Sequence, residues 1–287
     1  MSERPIDDGA LIAYRPRLRP RGGRPGAHRS REDGGLGHFR AHAPFSRHPE
    51  PRHIDLRATL KDVFGELQVR RFEPPGAVDV YALVDLSASL GFQGAGSAFA
   101  LSRRVATALA RAAARYGDAF GIVGAGERPR EDFYIRATRR RGVEQDVDAL
   151  FARHKPDGAG GDGLIEAAAR LGGRRKLVFV LSDFLFSLDR AEALMTSLAA
   201  HDVTPIVFRD TASEEGLPTF GLIELRDLET GRGRLYFMRP SLRRRWLDEA
   251  RAHDAALDRL FLRHGAAPVR VVDRLDLEEL SRALTER

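Results

Sequence analysis

The chain has 287 residues, no cysteine, one tryptophan, 43% hydrophobic residues and a formal charge of +6 carried almost entirely by arginine. Without cysteine there can be no disulfides, thiolate metal sites or cysteine nucleophiles, and the length accommodates one large domain with an extension or two small ones. No run of about 18 apolar residues occurs, and the first residues lack the apolar core of a secretory signal, so the expectation is a cytoplasmic protein without a membrane span.

Residues 1–50 are rich in Gly, Pro, Arg and His, with seven arginines and no acid between Tyr14 and Arg31. This composition predicts a basic, partly disordered extension. His28, His38 and His42 could in principle meet at a transition metal, but their spacing in a glycine-rich stretch favours solvated or hydrogen-bonded histidines. Residues 51–76 are denser in apolar side chains and predict a segment that packs on a domain running from 77 to 287, with strand-like alternation from Glu66 to Phe72.

From Val78 the rhythm changes. Val78–Val84 reads as a strand buried on both faces. Residues 97–116 place Ala98, Leu101, Val105, Leu109 and Ala112 at spacings of three or four, which predicts an amphipathic helix. "AFGIVGAG" and "DFYIRATRR" follow as strands, helices are expected near 144–153 and 163–171, and "KLVFVLSDF" is another apolar strand. A helix near 189–200, the strand "DVTPIVFRD", two further strands, a long helix within 241–264, the short strand "APVRVVD" and a helix from Leu275 complete the chain. Strands alternating with helices predict an α/β fold with a mostly parallel central sheet covered by helices on both faces. Asp227, Glu229 and Gly231 are expected to shape a turn, and Trp246 is read as packing rather than as a contact residue.

Both Asp85 and Asp183 stand directly after apolar strands, where ligands bind an open parallel sheet. A carboxylate at such a place needs a partner, because burying an unpaired charge is costly. Asp85-x-Ser87-x-Ser89 adds two hydroxyl oxygens from one tight turn. Oxygen-only donors with few charges suit Mg²⁺, with Mn²⁺ or Ca²⁺ as alternatives. The bland alternative makes the serines helix caps and hydrogen-bonds Asp85 to a neighbouring loop.

A strand, Asp-x-Ser-x-Ser, a helix and a later strand ending in Ser-Asp together resemble a von Willebrand factor A domain with a metal-ion-dependent adhesion site. The stretches "PRHIDLRATLKD", "KLVFVLSDF", "HDVTPIVFRD" and "EEGLPTFGLIELRDLETG" narrow the resemblance to the bacterial family called domain of unknown function 58. That resemblance implies a Rossmann-like fold and a metal site of Asp85, Ser87, Ser89 and Asp183. It also implies work alongside a MoxR-type AAA+ ATPase in assembling or metallating a client complex, with methanol dehydrogenase one such client. Three departures are visible. Asp162, in "GAGGDG", stands where the family pattern has threonine and becomes a fifth candidate ligand; Leu56 replaces a tryptophan; and the membrane hairpin of longer members is missing.

Competing classes are weaker. There is no Gly-x-Ser-x-Gly elbow and no His-Glu-x-x-His. "GAGGDG" lacks the Lys-Ser/Thr ending of a phosphate-binding loop. An aspartate-based phosphatase would need a carboxylate where Ser87 stands. Nucleic-acid binding through the arginine arm is the main alternative. The reading is therefore a non-enzymatic, metal-dependent interaction protein.

Overall fold

The computed structural model describes residues 12–17, 25–29, 38–73, 75–92, 94–158, 160–212, 216–226 and 232–286. The chain divides into two compact units. The smaller comprises Pro16–Val78 with Tyr116–Asp118, and the larger comprises Asp79–Arg115 and Ala119 onward together with the described residues among the first fifteen.

In the smaller unit, β1 (Pro25–Arg29) and β2 (His38–Pro44) form strands within the stretch read as irregular from its composition. β2 runs antiparallel to β3 (Gln68–Glu73), and β1 pairs with the two-residue β4 (Pro75–Gly76). Between them α1 (Leu56–Leu60) lasts only five residues. Asp55 caps it by accepting the amides of Arg57 and Ala58, which satisfies donors that a helix start leaves open. Past the helix, Asp62 Oδ2 accepts the amides of Phe64 and Glu66, and Gly65, at φ +68°, turns the chain back toward β3. A side-chain carboxylate thus does the work of a further helical turn.

The larger unit is the α/β body. Its elements in chain order begin with β5 (Asp79–Asp85), α2 (Ala98–Tyr116), β6 (Ala119–Ala125), β7 (Pro129–Thr138), α3 (Val143–Arg153) and α4 (Asp162–Ala169). They continue with β8 (Leu177–Ser182), α5 (Leu188–Ser197), β9 (Asp202–Arg209), the hairpin β10 (Gly221–Arg226) and β11 (Gly233–Met238), α6 (Pro240–Arg263), β12 (Val269–Val272) and α7 (Leu277–Thr285). Six strands form one sheet in the order β12-β9-β8-β5-β6-β7. All neighbours are parallel except β6 and β7, whose short connection makes an antiparallel hairpin. The turn expected of Asp227, Glu229 and Gly231 lies outside the described residues.

Alternate residues of the central strands serve opposite faces. Leu83, Val123, Val180 and Val207 join Leu164, Leu194 and Phe261 in one core cluster under α4, α5 and α6. Val80, Val84, Ile122, Phe179 and Phe208 point the other way and are equally buried, on the side served by the amphipathic α2 with its ten buried residues. Both faces are covered, so the central strands carry near-continuous apolar runs rather than alternation. The fold is Rossmann-like α/β with a mostly parallel central sheet. No helix among the described residues is long and apolar enough to cross a membrane.

The chain leaves β5 toward β6 on one side, and leaves β8 toward β9 on the other. The connections after these two adjacent strands therefore diverge, which opens a crevice at their carboxyl ends. Asp85 ends β5 and Asp183 follows β8, so the two carboxylates flank that crevice.

Candidate metal centre

Asp85 is fully buried and Asp183 is 6% exposed. Asp85 Oδ1 accepts the Ser87 amide at 2.9 Å, and Oδ2 accepts the Ser182 hydroxyl at 2.6 Å. Among the described residues no basic side chain pairs with it. Burial, then the charge of Asp183, push its carboxyl up from the ordinary 3.8 to about 7, although the hydrogen bonds from Ser182 and Ser87 oppose the rise. Two neighbouring buried carboxylates repel one another unless a proton or a cation lies with them. Ser182 and the Ser87 amide supply the hydrogen bonds of the bland reading, but neither brings a counter-charge to the buried carboxylate.

The hydroxyls converge as the sequence spacing suggested. Ser87 Oγ and Ser89 Oγ are 3.0 Å apart, and Ser87 is buried. Neither caps a helix through its side chain: Ser87 precedes a short turn of 3₁₀ helix at Ala88–Gly91 without a side-chain capping bond.

The loop after α3 closes over this turn. The Ala88 amide donates to the Gly158 carbonyl, and the Asp157 amide to that of Leu86. Arg130 Nη1 holds the Asp157 carboxylate at 3.0 Å, while His154 Nε2 and Arg130 both meet Asp132. Gly160 then passes so close that a Cβ there would lie 3.0 Å from Ser87 Oγ and 3.6 Å from Asp85 Oδ1. Any side chain at that position would fill the space in front of the carboxylate.

Asp183 is set by a strained turn. Phe184, buried and at φ +51°, occupies the left-handed region that bulky residues avoid. The Phe184 amide donates to Ser182 Oγ, and its carbonyl lies 3.1 Å from His253 Nε2 on α6. Its ring packs on Phe186 and Phe261. Arg209, ion-paired with Asp254, donates to the Asp183 carbonyl. The backbone carrying Asp183 is thus pinned from the sheet and from α6 before any ligand arrives.

Asp162 is drawn elsewhere. Both its oxygens are taken by Arg190, at 3.0 and 2.8 Å, and it is largely exposed. As the first residue of α4 it also sits where a helix favours negative charge. The expectation that it joins the ligand set thus meets a competing partner that the local motif could not reveal. Sequence reasoning also passed over Ser182, Gly160 and Arg209. Ser182, in the "LSD" triplet, and Gly160, in "GAGGDG", carried local signals, and Arg209 carried none.

The family resemblance implies a divalent cation, and the residues fit one. Four side chains offer hard oxygen donors, two of them carboxylates with no basic partner accounting for Asp85. Low ligand charge and neutral hydroxyls match Mg²⁺ more closely than a transition metal, which would draw imidazole or thiolate. Among the described residues no three His, Cys, Asp or Glu side chains gather as a metal-binding group, so the hydroxyls are essential to this assignment. Of the histidines weighed as an alternative site, His42 hydrogen-bonds Asp55 at 3.0 Å, while the side chains of His28 and His38 lie outside the described ones.

Trp246 proves to be half-buried, packed edge-on to Tyr236 of β11 at 5.2 Å between centroids. It also lines a groove of about 520 Å³ that begins at Ser89 and Asp183.

The chain belongs to the family described as protein of unknown function DUF58, which it matches over residues 50–256. It is 36% identical over 97 residues to an uncharacterized protein in the moxR 3' region of Paracoccus denitrificans, covering 34% of this chain and 92% of that protein. Among solved structures, the conserved hypothetical protein BatB from Bacteroides thetaiotaomicron is 14% identical with a TM-score of 0.48, covering 72% of this chain and 97% of BatB. The VWA domain of SpRpn10 is 12% identical with a TM-score of 0.35, over 72% of this chain and 94% of that domain.

Proposed function

We propose that this protein is a non-enzymatic docking module whose metal-dependent face, at the ends of β5 and β8, engages a partner protein. Asp85, Ser87, Ser89 and Asp183 would hold Mg²⁺, or Mn²⁺ or Ca²⁺ in its place, while Arg190 keeps Asp162 out of the set. A hard cation held by two carboxylates and neutral hydroxyls supplies an electrophilic position for an incoming carboxylate. The chain's own part is positioning. Ser182 and the Ser87 amide fix the orientation of Asp85, the strained Phe184 turn fixes Asp183, and Gly160 leaves the approach open. The observation that carries the reading is the buried Asp85 carboxylate, which has Asp183 for a neighbour and no basic partner among the described residues.

The partner we propose is a MoxR-type AAA+ ATPase, acting with this chain on a client complex such as methanol dehydrogenase. Support comes from the relative named for its place beside moxR and from membership of the family. The Ser182 hydroxyl, hydrogen-bonded to Asp85, is fully buried and also accepts the Phe184 amide, which suits a positioning role rather than nucleophilic attack. Nucleic-acid binding by the arginine-rich N-terminal arm is the competing reading, and it predicts steep salt dependence and indifference to Asp85.

Affinity between the purified chain and the MoxR-type ATPase of the same genome, measured with Mg²⁺ and with a chelator, separates them. The docking reading expects complex formation that chelation or Ser87→Ala weakens by about tenfold or more, in line with the loss of a supporting metal contact. Equal binding in all conditions would refute metal dependence.

A further inference from the structure

The groove next to Ser89 and Asp183 is walled by Phe92, Leu185, Phe208, Leu217, Trp246 and Leu247. Its volume of about 520 Å³ lies within the range of pockets that hold a discrete ligand group. We propose that it takes a large apolar side chain, aromatic or branched, which the partner presents next to the carboxylate it directs at the metal. This rests on the proposed function and names the partner's second recognition element.

The charges around the groove argue for an uncharged occupant. Arg209 is spent on Asp254 and on the Asp183 and Phe208 carbonyls. Asp210 accepts the amides of Ala95, Gly96 and Ala212. Glu249 pairs with Arg245, and His253 Nε2 is engaged with the Phe184 carbonyl. Apart from Asp183, which the proposed function commits to the metal, each charged group on the rim already has a partner within the chain, so a charged guest would find no further counter-charge and would lose its hydration. An apolar guest instead gains contact with Trp246 and with Leu185, which is 63% exposed beside the metal face. Position supplies the rest. Asp183 and Ser89 belong both to the candidate ligand set and to the groove wall, so one short segment can reach both.

The test uses Trp246, the chain's single tryptophan, as an internal reporter. Acetyl-Asp-Phe-amide, acetyl-Asp-Ala-amide and acetyl-Asn-Phe-amide are titrated at millimolar concentrations into the intact protein, with Mg²⁺ and with a chelator, while tryptophan emission is followed. The proposal expects the Asp-Phe probe to half-saturate at about tenfold lower concentration than Asp-Ala, the size of effect that burying one aromatic side chain produces. Leu185→Ser should erase that difference while leaving Mg²⁺ affinity unchanged, which separates a lost wall from a lost fold. Equal responses to Phe and Ala probes, or none to either, would overturn the proposal. If Asn-Phe responds as strongly as Asp-Phe and chelation changes nothing, the groove stands and the metal-directed carboxylate falls.

Discussion

Asp55 in the smaller unit and Asp85 in the larger are built alike and behave in opposite ways. Each is buried, at 8% and 0% exposure, and each accepts the amide two residues ahead of it. Asp55 also meets Arg70 at 2.6 Å and His42 at 3.0 Å, and these partners hold its carboxyl well below the usual range. Asp85 has hydroxyls and a second carboxylate instead, and its carboxyl is driven up to about 7. A carboxylate whose counter-charge is built into the fold is architecture. One whose counter-charge would have to come from outside is what we propose as a site.

The comparison can be broken by substitution. Asp55→Ala leaves Arg70, His42 and the first amides of α1 without an acceptor, so it should have the largest effect. Amide-exchange protection across β3 is expected to fall by about a hundredfold or more, as when a buried pair loses one partner. Asp85→Asn should act the other way in a chelator, because it removes a buried charge and keeps an oxygen for the Ser87 amide. A rise in Tm of about 2–4 °C is expected, corresponding to roughly 1 kcal/mol in a body of this size, and Mg²⁺ should then add nothing further. A clear drop in Tm would mean that Asp85 is as structural as Asp55.

Acid sharpens the same contrast. Asp55 has a folded-state pKa below its ordinary 3.8, so its contribution is complete above that value and is lost as pH falls toward the folded-state value. Exchange protection of β2 and β3 should therefore hold at pH 5 and decline below pH about 4. The smallest effect belongs to Asp162. Because Arg190 occupies both its oxygens, Asp162→Asn should change Mg²⁺ affinity less than about twofold, the worth of an exposed ion pair. A tenfold loss would return it to the ligand set.

Much of the larger unit was legible because its signals are local. Apolar runs marked the buried strands, and the carboxylates at their ends, Asp85 and Asp183, could be read without knowing the sheet order. The Asp-x-Ser-x-Ser spacing likewise foretold hydroxyls that meet at 3.0 Å. What stayed hidden depends on residues far apart in the chain. Arg190 lies 28 positions from Asp162, and nothing in "GAGGDG" announces it. The groove joins Phe92 and Ser89 to Leu217 and Trp246, so reading Trp246 as packing captured its contact with Tyr236 and missed its other face. In residues 1–50, glycine and proline masked β1 and β2, whose pairing comes from β4 and β3 rather than from their own propensity.

The most direct measurement is calorimetric titration of Mg²⁺, with Mn²⁺ and Ca²⁺ as comparators, into the wild-type chain, Asp85→Asn and Asp162→Asn. The account predicts one divalent ion per chain for the wild type and for Asp162→Asn, and none for a folded Asp85→Asn. A folded wild type that takes no ion, or an Asp85→Asn variant that binds as the wild type does, would contradict it.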